Sequence, residues 1–408
     1  MSILKNELSF PGGANKHLMH PWENLDLTFG DLKEIIKRTL NGTLDQERYV
    51  SEKPDGQNLK VTYKDGEIKA ARNKETLENP MSISEISNKF EGREEVQKAF
   101  VHALKDLNTS FAHLSKDILT DIFDNGFRYL NLEIVYPPTK NVIDYYREPF
   151  IQLHGLFEYD CRWNVSKTYP AAGKLIYRIL EENNATKANT FEIIPHNEIT
   201  LKEQEVRHHD YFKDLLEEIM TSTGSLIGYG NTIADYYYFR WNNEIYKSFP
   251  YITRVQQEIL INRWAKGIKD VRINEKNFKN YSYSIKNFED TKVPSINKQL
   301  SSNLEEIFLE LGVLTLKTVN KTLSTRPEQT INNVIYDTQY TVNVPLREQG
   351  DLNNLKIKNE LNKFTNLGSH NSIVPLEGIV FIYKGNEYKL TGIFAPINQI
   401  LGFYRYKR

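Results

Sequence analysis

The chain of 408 residues carries 52 Lys and Arg against 53 Asp and Glu, a formal charge of -1, with 39% hydrophobic and 26% charged residues. That balance excludes a disordered polyelectrolyte and a protein that grips nucleic acid with its whole surface; phosphate binding has to come from a local patch. A single cysteine, Cys161, excludes an intrachain disulfide framework and a cysteine zinc site, and no run approaches the ~20 apolar residues of a membrane span, so a cytoplasmic globular protein of two or three domains is expected.

Residues 8–24 read as loop chemistry, with Gly12-Gly13 and Pro21 interrupting any helix and His17 and His20 three apart. No third side chain at a defined spacing accompanies the two histidines, so packing explains them better than metal ligation. Leu32, Ile35, Ile36 and Leu40 then share one helical face, with Thr28 or Asp31 to cap the start and Asn41-Gly42 to end it.

Residues 51–59, Ser-Glu-Lys-Pro-Asp-Gly-Gln-Asn-Leu, place Lys53 at a strand edge before a turn that cannot continue a helix. Leu59, Val61 and Tyr63 alternate with polar residues, Lys64-Asp65-Gly66-Glu67 is a hairpin signal, and Ile68 to Ala71 returns, bringing Arg72 back beside Lys53. Residues 84–125 switch to helical periodicity, with Val96, Phe100, Leu104 and Leu107 and later Leu114, Ile118 and Ile122. Strand character resumes at Tyr129–Tyr136, where Glu133 sits among apolar neighbours, and at Phe150–Asp160. A helix over 171–180 and a strand over 190–195 follow.

Residues 201–370 begin acidic and helical and pass a Gly-rich turn at 224–230. Between Arg254 and Lys286 stand eight cations (Arg254, Arg263, Lys266, Lys269, Arg272, Lys276, Lys279, Lys286) against three acids, with Trp264, Phe278, Tyr281 and Tyr283 interleaved. Cations for phosphates and rings for bases make this the best nucleic-acid candidate, beside the plainer reading of a solvated helix face. Helices are expected around 304–311 and 355–364, with strand-like sequence at 334–344. Glu377–Phe381 and Glu387–Leu390 then form a hairpin about Lys384-Gly385-Asn386 that holds Glu377 near Lys389.

Alone, Lys53-Pro54-Asp55-Gly56 is better explained as a surface β-turn. Together with Arg72, Glu133, the Phe157–Asp160 stretch, Glu377 and Lys389 in that order, it resembles the covalent nucleotidyltransferases: ATP-dependent DNA and RNA ligases and mRNA capping enzymes. The resemblance covers residues 45–160 and 372–408. It implies an α+β, ATP-grasp-like nucleotidyltransferase core of antiparallel sheets with flanking helices, formed by residues 1–200 and 371–408, interrupted by a mainly helical substrate-binding insert at 201–370, and without the C-terminal OB-fold of DNA ligases.

The same resemblance implies the site. Lys53 is the nucleophile that takes up AMP from ATP, Lys389 offsets charge on the α-phosphate, and Arg72 and Glu133 fix the ribose. Glu377 with Glu133 holds Mg²⁺ or Mn²⁺. Phe157, or its neighbour Tyr159, stacks on the purine, while Glu52 and Asp55 also contact the nucleotide, Glu52 recognising adenine as in the RNA-ligase branch. Glu387 stands where a second lysine is usual in the family.

The expectation is a monomeric ATP-dependent polynucleotide ligase for nucleic-acid repair, sealing RNA or RNA/DNA ends, similar to ligases of large tailed bacteriophages and then acting in the host cytoplasm. Arg254, Arg263, Lys266, Lys269 and Arg272 would contact nucleic acid. The alternatives are a GTP-using guanylyltransferase and a nucleic-acid-binding module on an inactive fold.

Overall fold

The computed structural model describes residues 18–405 apart from 140, 144, 146–147, 223–226, 320–321, 324–326, 344–350 and 375. His17 and part of the 224–230 turn therefore lie outside the described residues. In chain order the first elements are α1 (Phe29–Leu40), β1 (Val50–Lys53), β2 (Gln57–Lys64), β3 (Glu67–Ala71), α2 (Lys74–Glu78), α3 (Ile83–Lys89), α4 (Glu94–Phe111) and α5 (Lys116–Phe123). Then come β4 (Arg128–Val135), β5 (Phe150–Tyr159), β6 (Val165–Tyr169), α6 (Ala172–Glu182), β7 (Glu192–Ile194) and β8 (Glu198–Ile199). The helical stretch comprises α7 (Val206–Ser222), α8 (Ile233–Ser248), α9 (Arg254–Lys266), α10 (Glu275–Phe278), α11 (Ser282–Thr291), α12 (Val293–Leu316), α13 (Pro327–Asn343) and α14 (Asp351–Asn366). The chain closes with β9 (Gly378–Tyr383), β10 (Asn386–Thr391) and α15 (Phe394–Arg405).

Two sheets result. One has four strands in the antiparallel order β10-β9-β1-β8; the other runs β3-β2-β4-β5-β6, with β7 added parallel to β5. Both hairpins close on two-residue turns with positive φ: 56° and 87° at Asp65-Gly66, 46° and 73° at Lys384-Gly385. Such turns match the twist of the strands they join.

Alternation along the strands divides each sheet into a covered and an open face. On the larger sheet Leu59, Val61, Leu130, Leu132, Ile134, Ile151 and Leu153 pack under α3, α4, α5 and α6. On the smaller sheet Ile379, Phe381, Tyr383, Tyr388 and Leu390 pack under α1, α7, α8, α9 and α12. A capping box starts α1, Thr28 Oγ1 accepting from Asp31 N at 3.0 Å and Asp31 Oδ2 from Thr28 N at 3.1 Å. Asp31 also accepts from Tyr383 Oη at 2.8 Å and pairs with Lys384 at 2.7 Å, which fastens this helix to the β9–β10 hairpin.

One expectation is corrected here. The 334–344 stretch is helical through Asn343, because Thr330, Val334, Thr338 and Thr341 are buried at helical spacing while Tyr336 and Tyr340 face solvent; the 3.6-residue pattern overrides the strand preference of branched and aromatic residues. The helices α7 to α12 share one continuous apolar cluster with α1, β1, β9 and β10.

Candidate active site

The open faces of the two sheets meet around Lys53, the last residue of β1. Its partner in the ladder is Gly378, so Glu377 just ahead of β9 reaches its amine, Nζ to Oε2 2.5 Å. No side chain fits at Gly378, whose Cβ would lie 2.5 Å from the Leu390 carbonyl. Burial works to lower the Lys53 pKa, but the carboxylates of Glu377, Glu133 and Asp55 outweigh it and hold the amine protonated above its usual value. The amine in this state is an ammonium and has to lose a proton before it can attack.

Glu133 comes from the open face of β4, opposite Asn58 on β2 and Gln152 on β5. Burial first, then Glu377's charge working against Lys53's, pushes its carboxyl up to about 7. Gly56 permits this approach: a Cβ there would stand 2.7 Å from the Ile134 carbonyl and 2.8 Å from Glu133 Cγ. Arg72, after β3, feels the Glu133 carboxylate and lies over the rings of Phe90 and Phe100 at 5.6 and 5.1 Å.

Lys389 pairs with Val380, which pairs with Ser51, so the two lysines share one face of the small sheet with β9 between them. Burial, followed by the charge of Lys53, lowers the Lys389 pKa. Lys53, Arg72, Glu133, Glu377 and Lys389, drawn from five separate stretches, thus converge on one cleft.

Three other residues take different places. Asp55 is a fastener: Oδ2 accepts from the backbone amides of Val142 at 2.6 Å and Ile143 at 2.9 Å, and its own amide donates to Tyr145 Oη at 2.7 Å. Glu52, on the opposite face of β1 from Lys53, accepts from Asn197 Nδ2 and Leu323 N, both at 2.7 Å, which ties the strand to the segment after α12. Phe157 joins a satellite cluster with Tyr129, Tyr159 and Trp163, under the Lys60 amine at 5.0 Å, rather than lining the cleft at Lys53.

The rings beside the nucleophile are histidines. His154 Nε2 is 3.9 Å from Glu133 Oε2, and its ring centroid is 4.9 Å from that of His196. Burial, then His196 and Lys53, keeps His154 far below its usual pKa; burial pushes His196 down to about 4. Both are neutral near pH 7 and present planar faces. The available signal was the alternation of β5, which puts His154 on the face of Gln152 and opposite Ile151 and Leu153.

Among the described residues no group of three or more His, Cys, Asp or Glu side chains is gathered to hold a metal ion unaided. Two carboxylates, Glu133 and Glu377, do face the Lys53 amine. That is the protein's usual share of a Mg²⁺ site whose remaining ligands are water and substrate phosphate, so the residues present fit the ion.

On the helical side, Arg254, Lys266, Lys269 and Arg272 are exposed, whereas Arg263 is engaged with Glu289 at 2.9 Å. Trp264 and Phe278 are core residues, not stacking platforms: Trp264 packs on Trp241 and Phe288 with centroids 5.1 and 5.4 Å away. Rings free to stack include Tyr246, 71% exposed, Tyr251, 82% exposed, and Tyr283, 83% exposed. No helix among the described residues is long and apolar enough to cross a membrane. No protein-family model matches the chain, and no curated protein or solved structure matches it either.

Proposed function

We propose that the chain is an ATP-dependent polynucleotide ligase of RNA-ligase type. The observation that carries this reading is the Lys53 amine held against Glu377 with Glu133, Lys389 and Arg72 around it, on the facing open sides of two antiparallel sheets. A lysine ringed by two carboxylates and two further cations suits in-line attack on a phosphorus bearing a good leaving group.

In the first step Lys53 Nζ gives up one proton to the Glu377 carboxylate and attacks the α-phosphorus of ATP as a neutral amine; the bond to the β-phosphate oxygen breaks, pyrophosphate leaves, and the nitrogen's second proton passes to solvent. Lys389, its pKa already lowered in the cleft, offsets charge on the α-phosphate oxygens, while Arg72 and Glu133 hold the ribose side. A divalent cation on Glu377 and Glu133 would supply further charge neutralisation and compete with the Lys53 ammonium for the same carboxylates. A 5′-phosphate oxygen then attacks the adenylate, breaking the P–N bond and freeing Lys53. Finally a 3′-hydroxyl attacks the activated 5′-phosphorus and AMP departs.

Nucleic acid would approach along the exposed cations of α9 and the segment after it, Arg254, Lys266, Lys269 and Arg272, with Tyr251 and Tyr283 as candidate stacking rings. The test is sealing of nicked duplexes that differ only in the sugar at the 3′ and 5′ sides. The expected result is a joined strand preceded by a 5′-adenylylated one, with best turnover where RNA flanks the nick; absence of both products on every substrate would reject the reading.

A further inference from the structure

His20 is 8% exposed, and the chemistry described above gives its ring no part. Met19 pairs in parallel with Tyr388, and the Met19 carbonyl accepts from Lys389 N at 2.9 Å, so the chain lies along β10 as an extra edge. Met19 and Tyr388 both turn to the helical core. Alternation therefore carries His20 to the face of Lys389, which is the face of Lys53.

The ring is fixed there from its other side. It stacks on Trp22 at 4.0 Å, Trp22 lies 5.4 Å from Phe308 of α12, and the His20 amide donates to Glu23 Oε2 at 2.6 Å. Nδ1 is buried with no hydrogen-bond partner. Packing makes no use of that nitrogen, and leaving it bare in a water-poor site is costly. The charged groups facing the ring are Lys389 of β10 and Lys53 of β1: burial first, then Lys389 and Lys53, keep it neutral and far below its usual pKa, while the Lys389 main chain works the other way. Glu23 acts on Lys389 in turn.

Bond making at Lys53 changes that balance. The nitrogen starts as an ammonium and ends in a P–N bond with one hydrogen, so two protons leave it, one to Glu377 and the second toward solvent. The P–N nitrogen carries no charge, and one of the two cations that hold His20 neutral is then gone. Transfer of AMP makes the opposite demand: an alkyl amine leaves phosphorus as a neutral amine, so its nitrogen has to receive a proton as the bond breaks.

We propose that His20 Nδ1 is the proton relay of Lys53, a role that rests on the ligase reading given above. In adenylylation Nδ1 takes the second proton, directly or through one water, as the P–N bond forms and pyrophosphate departs with the electron pair of the broken P–O bond; the proton then passes to solvent. In transfer the 5′-phosphate oxygen bonds to phosphorus, the P–N electron pair stays on Nζ, and a protonated Nδ1 supplies the proton that Nζ takes up.

The test is rapid-quench measurement, on the full chain, of lysyl-AMP formation from α-³²P-ATP and of its discharge by pyrophosphate. His20→Phe, which keeps a ring against Trp22, is expected to slow both steps about 10²-fold while ATP affinity, read by competition against a fluorescent analogue, stays within about twofold. His20→Ala should be slowed as much, and added imidazole should speed it at least about tenfold, which a packing role would not allow. Unchanged rates in His20→Phe, a loss carried by ATP affinity, or a loss in His20→Ala that imidazole leaves in place overturns the assignment. Wild type that takes label, with variants that take it just as fast, removes the relay alone; wild type that takes no label removes the ligase reading itself.

Discussion

The cleft around Lys53 and the basic face of α9 to α11 both gather cations, and they hold them in opposite ways. In the cleft Lys53, Lys389 and Arg72 stand among buried carboxyls, so each charge alters the protonation of the next, and small changes of ligand or ion redistribute protons. On the helices Arg254, Lys266, Lys269 and Arg272 project into solvent, while of the rings interleaved with them in sequence Trp264 and Phe278 turn inward and Tyr283 stays exposed. The first arrangement suits bond making and breaking. The second suits sequence-independent attraction to a phosphate backbone, which salt screens.

The contrast is sharpest at Lys53. Lys53→Ala should abolish covalent uptake of AMP, a loss of at least about 10³-fold measured by labelling quenched in detergent at alkaline pH, where the P–N bond survives. Retention of label in that variant would move the chemistry out of the cleft. On the helical side the largest effect should be on folding, not binding: Trp264→Ala is expected to cost about 3–5 kcal/mol in urea denaturation, the usual range for a large buried ring. A variant that lost nucleic-acid affinity at unchanged stability would return Trp264 to the surface role read from sequence.

Buried carboxyls give the nucleophile's strand, on both of its faces, a pH signature that the helical face lacks. Glu52 is pushed up to about 7 by burial, so between roughly pH 4.5 and 7 the native state keeps a proton that the unfolded chain releases. Stability therefore falls as pH rises through that window, and the penalty is complete above about pH 7. Glu52→Gln removes the charge and keeps an acceptor for Asn197 and Leu323; it should raise stability at pH 8 by roughly 1–3 kcal/mol and flatten the slope. Glu133 and Asp55, also pushed up to about 7, should preserve some of it.

Smaller effects separate the regions further. Changing Arg254, Lys266, Lys269 and Arg272 together to Gln should reduce end joining about tenfold at moderate salt and lower its salt dependence, while self-adenylylation stays near wild type. Parallel loss of both activities would show that this face also supports the cleft. Phe157→Leu should change ATP affinity by less than about twofold, since the ring packs with Tyr129 and Trp163. A loss of tenfold or more would place the purine against that ring.

Local structure was legible where backbone chemistry is local. The Asp65-Gly66 and Lys384-Gly385 turns, the Thr28–Asp31 cap, and helix ends at Gly42 and Gly368 follow from positive-φ residues and side-chain capping. Non-local facts were not. The pairing of β1 with β9 brings Lys53 to a carboxylate 324 positions away, and only the ordered motifs, not periodicity, hinted at it. Helix partners were hidden for the same reason: an amphipathic helix displays its apolar face in sequence but not what it packs on, which for α7 to α12 includes the back of the nucleophile's own sheet. His154 and His196 went unmarked because a lone histidine in a strand or loop carries no spacing signal; it acquires meaning when the fold brings it beside Glu133.

The most direct measurement is to incubate the protein with ATP and Mg²⁺, digest it under alkaline conditions, and locate any nucleotide adduct by mass spectrometry. The account predicts a single phosphoramidate-linked AMP on the peptide containing Lys53, reversed by added pyrophosphate. An unmodified Lys53 peptide, or an adduct on another residue, would contradict it.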